Sequence, residues 1–514
     1  MARIHPLSGE PLNGKANGHA RRDISAYFAP LTRNRRAALS IDAARSGTDL
    51  DNHWQFADGL DPDSAYNPGV RATLRKRSRY EQTSNSFYAG IIATHINMLV
   101  GTGPTLRMLT GNRNFNQLVE RRFYEWQQRT KFRRKLWAMA HAVTADGETF
   151  AVLQTNPRFE STDTLLDFQP IEAEQCQSPY GSIDALRIDG IRTDEFNNII
   201  GYDLLPYHPG GSSQFNFQDP ITVPASQVVH WFKLARPGAH RGIPAMTAGL
   251  NTGAMGRRHR EATVAAAETA ADIAAMLTST LGPAGDSEPD PVAPFTSVEF
   301  AKRMLMIAPM GWDAKQMKGE HPNAQYAEFH RLLISELARG ISMPYNAAAC
   351  DSSTYSFASG KLDTLCYRAA LNVERQDCND LVLDPLFAAW FREWTVLTAN
   401  RDNPPLHQWD WPTHPVIDAV QEATAVDMRL KNGTLSLRQA YSDQGQDFED
   451  QLAVMAEDAF GDASDQSVAK MRQILVLNNT PAQSIDFVAG ILGLQQSVAA
   501  QPQEAAPNAQ DQAV

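Results

Sequence analysis

The sequence predicts an α+β fold that is mainly helical. Three observations carry that prediction. Apolar residues recur at helical spacing on both sides of "GTGP", Gly101 to Pro104. Short apolar or alternating runs, separated by Gly, Pro, Asn and Asp, fill Thr149 to Lys233. An alanine-dominated stretch after Pro244 stays compatible with one long helix. At 514 residues the chain exceeds what a single hydrophobic core serves, so two or more structural units are expected.

The first 80 residues are polar and mixed in charge, and "DGLDPDSAYNPG" precedes the basic run "RATLRKRSRYE". They read as an arm and a surface strap around a short helix. From Ser84, Tyr88, Ile91, Ile92, His95, Ile96 and Leu99 share one helical face. A second amphipathic helix follows, with Phe115, Leu118, Val119, Phe123 and Trp126 expected to be buried. It runs into "RTKFRRKLW", where Arg129, Lys131, Arg133, Arg134 and Lys135 crowd together. A nucleic-acid footprint and a solvated face paired with acidic neighbours both fit, and the second is preferred. His95 and His141 lie on apolar faces with no second ligand nearby in sequence, and read as satisfied core or boundary histidines.

Five runs make the β-rich unit: "TFAVLQT", "LLDFQPI", "DALRIDGI", "IIGYDLLPY" and "ITVPASQVVHWFK". Pro244 can then open a helix that reaches about Leu277, roughly 50 Å at 1.5 Å per residue. Its small residues after Arg260 would let it stand close to copies of itself. A Gly- and Pro-rich insert with a short helix and a strand-like hairpin comes next. A second long helix starts near Asn323, a good N-cap residue, with Tyr326, Phe329, Leu332, Leu333 and Leu337 on one face and Gly340 at its end. The loop "DSSTYSFASGKLDT", Asp351 to Thr364, leads into a helical stretch from about Ala358 to Thr398 that Pro385 should kink. "NRDNPPLHQWDWPTHP" links to a last helical region, Val416 to about Gly493. The tail after it is low in bulky apolar residues and is expected to be disordered.

Composition narrows the function. The formal net charge of −11 argues against nucleic-acid binding driven by overall charge. Cys176, Cys350, Cys366 and Cys378 show no CxxC or Cys/His ligand spacing, and read as buried free thiols in a reducing compartment. The start has no apolar signal segment, and the most apolar long run is broken by Glu268 and Asp272, so a soluble protein with no membrane partner is expected. Gly360-Lys361 suggests a phosphate-binding loop, but that motif needs glycine at Tyr355 and a hydroxyl residue at Leu362. Asp61/Asp63 and Asp286/Glu288/Asp290 lie in turn-rich segments and read as solvated loops rather than metal sites. No catalytic spacing occurs, so the chain is expected to be no enzyme, with no cofactor and no metal.

The order of parts, together with "IRTDEFNNIIGYDLLPYHPG", "VPASQVVHWFKLARPGAHRGIP" and "ELARGISMPYNAAACDSSTYSFASGKLD", resembles the portal proteins of tailed bacteriophages, the lambda-type family in particular. The resemblance spans roughly Arg71 to Glu457. Its most specific pieces are "RPGxxRGIP" at Arg236 to Pro244 and "GISMPY…SSTYSFASGK". Where that family shows a Tyr-Ser-Ser-Ala-Arg-like run, this chain has Tyr355-Ser356-Phe357-Ala358-Ser359-Gly360-Lys361, so the basic residue is displaced and is a lysine.

The resemblance implies a portal-type fold. Residues 1–80 would be an arm and strap, 81–242 a wing with a β-rich unit, and 243–277 and 323–340 a two-helix stem. A small α/β clip would occupy 278–322, a wing return with a tunnel loop (about 350–360) and kinked tunnel helix 341–400, a linker and helical crown 401–493, and a disordered tail 494–514. It further implies a homo-oligomeric ring at one capsid vertex of the virion, assembled in the host cytoplasm, through which a terminase motor packs double-stranded DNA and from which the genome is ejected. Major capsid protein and head-tail connector proteins would be its other partners. Ser353, Tyr355, Ser356, Ser359 and Lys361 would face the channel. About twelve copies at −11 give roughly −132 per ring, which discourages DNA from sticking to the conduit. For Arg257, Arg258 and Arg260, basic positions on the stem, facing DNA and ion pairing both stay open. The rival readings are a head-tail adaptor ring and a metal-dependent nucleic-acid enzyme.

Overall fold

The structure is a computed structural model. It describes residues 57–478 except 160–162, 181–183, 185, 212–218, 273–275, 280–311, 316–325, 397–403, 413–418, 443–445 and 447. The chain divides into Met1–Asp61 and Pro62–Val514, and all the helices and strands among the described residues belong to the second unit. Asp286, Glu288, Asp290, Asn323, most of the expected clip and the expected tail lie outside the described residues.

The fold is mainly helical with small antiparallel sheets. A short α1 (Pro62–Ala65) precedes α2 (Pro68–Ser84) and α3 (Ser86–Val100). Asparagine sets both long starts: the Asn67 side chain accepts from Val70 N–H, and that of Asn85 from Phe87 and Tyr88 N–H. The basic run, read as part of an arm and strap around a short helix, lies in α2, with Arg71 and Arg75 buried. After β1 (Thr105–Met108) come α4 (Arg113–Arg129) and α5 (Phe132–Asp146). Val119, Phe123 and Trp126 are buried as expected, whereas Phe115 is partly buried and Leu118 is exposed, because α4 buries a narrower stripe than its apolar content suggests.

The β-rich unit forms from the five expected runs, as two sheets. β2 (Glu148–Thr155) is central in a three-stranded sheet, between β3 (Leu166–Ile171) and β8 (Val228–Phe232). β4 (Arg187–Ile188), β5 (Ile191–Thr193), β6 (Ile199–Leu204) and β7 (Ile221–Pro224) make a four-stranded meander. Phe150, Ile191, Tyr202 and Leu204 pack between them as a small core.

α6 (Leu250–Asp272) starts six residues later than the Pro244 reading placed it. The Thr247 N–H and hydroxyl both bond to the Pro244 carbonyl, which closes a tight turn in place of the first helical turn. At 23 residues, α6 spans about 35 Å, shorter than expected. It gives way to β9 (Met276–Ser279), which pairs antiparallel with β10 (Trp312–Lys315). α7 (Tyr326–Arg339) then returns along α6. Leu337 packs on Gly249 and Gly253, and Leu333 on Gly256. Of the expected apolar face of α7, Phe329 and Leu332 are exposed and Leu337 is buried, and Ile334 and Ala338, not expected there, are buried with it.

α8 (Tyr345–Ala349) and a loop lead to α9 (Phe357–Cys378) and α10 (Asp384–Val396). Between the last two, Asn379–Leu383 form a π-helical turn. Pro385 brings no N–H and crowds the carbonyl four residues before it, and the wider turn accommodates this. The expected linker supplies β11 (His407–Asp410), which pairs with β1 and so ties the chain back to the helical body. Phe123 is at the aromatic centre of that body, 5.2 Å from Trp126, 5.4 Å from Phe387 and 5.1 Å from Trp390. α11 (Ala419–Lys431), α12 (Leu437–Ser442), α13 (Phe448–Phe460) and α14 (Asp465–Asn478) follow, with their own small core around Phe448 and Leu452. No helix among the described residues is long and apolar enough to cross a membrane.

Candidate functional site

The segment that carries the most specific motif is held by buried charge. Arg241 is fully buried and grips Glu148 at both carboxylate oxygens, Nε–Oε2 and Nη2–Oε1 each 2.8 Å. Its remaining hydrogen bonds go to the carbonyls of Ala173 (3.0 Å), Cys176 (3.1 Å) and Asp189 (2.6 Å), and to the Asp189 carboxylate (3.0 Å). One side chain thus joins both sheets. Arg75 approaches Glu148 at 3.7 Å, and Arg71 pairs with Asp189. Burial pushes the Glu148 carboxyl up, but the Arg241 guanidinium, with hydrogen bonds from His230 and Arg241, more than reverses this and holds it well below the ordinary carboxylate range. Gly242 must be glycine, since a Cβ there would run into the Gly147 carbonyl and the Phe232 side chain.

That frame positions α6, α7 and the loop between α8 and α9. The loop runs from Asp351 to Ser356, whose hydroxyl accepts from Ser359 N–H and caps α9 at Phe357, one residue before the expected helix start near Ala358. Ser359 and Lys361 consequently lie in the first turns of α9 rather than in the loop, and both are exposed. Ser353 is exposed, and its N–H bonds to Asp351 Oδ1 at 2.9 Å. Tyr355 is half-buried, with the Arg331 guanidinium of α7 lying 5.7 Å from its ring centroid. The same guanidinium lies 4.8 Å from the Tyr345 ring, and the Tyr345 hydroxyl reaches Asp351 Oδ2 at 3.4 Å. Backbone hydrogen bonding from Ser353 is the main cause that holds the Asp351 carboxyl down. Sequence reasoning missed Arg331, because it reaches the loop from a different helix and such a contact leaves no local pattern.

The three arginines on α6 separate. Arg257 pairs with Glu81 (3.0 Å) and Glu261 (3.7 Å) and lies over Tyr80. Arg258 is exposed and Arg260 half-buried, and neither makes an ion pair among the described residues. Arg260 sits near His330, where burial first and then the Arg260 and His259 charges lower the imidazole pKa.

Other candidates take structural roles. His95 is buried, with Nδ1 3.0 Å from the Tyr367 hydroxyl and Nε2 2.9 Å from Glu374. His141 bonds to Gln82 and stacks on Trp137. Asp63 receives His240 at 2.8 Å. In the "RTKFRRKLW" run, Lys135 pairs with Asp167 at 2.6 Å, and Arg129 bonds to the Thr164 carbonyl. Cys176 and Cys378 are buried as expected, but Cys350 and Cys366 are exposed, the first in a left-handed turn after α8 and the second on α9. Glu172, Glu174 and His208 lie close enough to share a metal ion, but Arg79 already contacts both carboxylates at 3.1 Å. A guanidinium at that spot supplies the charge a cation would.

Residues 49–375 match the family described as phage portal protein, lambda family, and the chain belongs to that family. Solved structures similar to the chain include the neck of a native GTA particle computed with C12 symmetry and the virion of a native gene transfer agent particle. Each is 12% identical, with a TM-score of 0.44, over 74% of this chain and 94% of that chain. The neck of an empty GTA particle computed with C6 symmetry is 13% identical, with a TM-score of 0.43, over the same shares. No curated protein matches the chain.

Proposed function

We propose that this chain closes with copies of itself into a ring at one capsid vertex, the conduit for double-stranded DNA packed by a terminase motor and later ejected. Membership of the portal family across 49–375 carries this reading. In it, α6 and α7 form the stem and the β9–β10 pair begins the clip. The sheets and N-terminal helices are the wing toward capsid protein, and α11 to α14 the crown. Head-tail connector proteins dock on the completed vertex. The chain itself performs no catalysis.

Asp351 to Ser356 and the first turns of α9 then face the channel, with Ser353, Tyr355, Ser356, Ser359 and Lys361 nearest the DNA. Hydroxyls and a single lysine per copy suit a sliding contact, because strong neutralisation of many phosphates would hold the duplex in place. The test is packaging into capsids built without the chain, with the wild type, and with Lys361→Glu. Capsids lacking the chain should stay empty, and the charge reversal should shorten the packaged DNA or slow its entry. Full packaging without the chain would refute the conduit, and wild-type packaging by Lys361→Glu would refute the guiding lysine.

A further inference from the structure

α6 and α7 run antiparallel in a register that their contacts define. Gly249 and Gly253 lie against Leu337, Gly256 against Leu333, and His259 against Tyr326 and Phe329 at ring distances of 5.7 and 5.1 Å. Continuing that register puts Met255 level with Leu332 and Arg258 level with Glu328, within about one turn along the axis. Arg258 and Glu328 sit on the sides of their helices opposite the glycines and leucines that make the α6–α7 contact, and Met255 and Leu332, each next in sequence to a contact residue, lie about a quarter turn round from it. Met255 is 67% exposed and Leu332 62% exposed, both large apolar groups. Arg258 and Glu328 are exposed, and neither makes an ion pair among the described residues. Arg257, one position before, is fully engaged by Glu81 and Glu261.

The pair therefore has two outer flanks that carry opposite charge at this height, Arg258 with Met255 on α6 and Glu328 with Leu332 on α7, while the neighbouring Glu261 is engaged by Arg257. Rotation about an axis running along the helices keeps every residue at its height, so a head-to-tail neighbour brings these flanks together in register. We propose that the outer flank of α6 in one copy packs on the outer flank of α7 in the next, with Arg258 paired to Glu328 and Met255 seated against Leu332. Ala262 and Ala265, exposed on the same side of α6, leave room for that approach. This pairing rests on the ring reading and adds which surfaces close the ring.

Charge reversal tests the pairing. Arg258→Glu and Glu328→Arg should each lose the closed ring in native mass spectrometry while keeping the wild-type circular dichroism spectrum, and the double reversal should restore it. In a Cys350→Ser, Cys366→Ser background, Met255→Cys with Leu332→Cys should give a ladder of covalent multimers on oxidation, and either cysteine alone should give none above the dimer. Rings retained by both single reversals, with no ladder, would overturn the pairing and leave the ring intact. A wild type that forms no oligomer alone or in the assembled particle would overturn the ring reading and the pairing with it.

Discussion

Arg241 is held on every side. Its guanidinium is shared among the two Glu148 oxygens, three carbonyls and the Asp189 carboxylate, and lies 5.2 Å from the Phe150 ring centroid. Arg241→Ala would leave Glu148 buried without its main partner, at a cost of about 3–5 kcal/mol. Urea titration followed by fluorescence should show that loss, and a change below about 1 kcal/mol, the scale of an exposed pair, would contradict the clamp. The same pair predicts acid sensitivity. Because folding depresses the Glu148 pKa, its stabilisation is complete above the ordinary glutamate value of 4.5 and is lost as pH falls below it. Glu148→Gln should be less stable at neutral pH and should flatten the pH dependence below 4.5, as thermal melts across that range would show. The motif around Arg241 stood out in the sequence, but its partner did not, since Glu148 lies in a distant strand and long-range ion pairs leave no local pattern. Gly242 was legible as part of the motif, and its steric reason appears only when Gly147 is brought against it.

Elements were legible where periodicity alone decides them. The β runs from 149 to 233 became strands because alternation and turn residues agree there. The start of α6 was misplaced because Pro244 suits the first turn of a helix as well as it suits the tight turn it makes with Thr247. Pro385 announced a disturbance, and the π-helical turn at Asn379–Leu383 is the form it takes. The start of α9 was legible to within a residue, about Ala358 against Phe357, and Ser356, at the end of the loop, is its cap, its hydroxyl accepting from Ser359 N–H. Between α7 and that loop, Arg331 is the clasp. Arg331→Ala should release Tyr355 and speed amide exchange across 351–356 roughly two- to fivefold, as the loss of about 0.5–1 kcal/mol of cation–π attraction implies. Exchange at the wild-type rate would show that the Ser356 cap and the Asp351 turn hold the loop unaided.

For the whole molecule, the surface of the single chain is the informative part. Met255 on α6, Leu332 on α7, and Leu362, Leu365 and Val373 on α9 all leave large apolar groups exposed, and apolar faces of this kind mark contact surfaces. Leu332 was expected on the apolar face of its helix. Only the fold shows that these groups point outward, where a neighbouring copy can cover them. A net charge of −11 also suits the proposed DNA conduit, since repulsion keeps the duplex off the wall while a ring of lysines guides it. The most direct measurement is cryo electron microscopy of the purified protein, with native mass spectrometry on the same sample. Closed rings of about twelve copies around a central channel, joined head to tail, are the expected result. A compact dimer with nuclease or ATPase activity would contradict the portal reading.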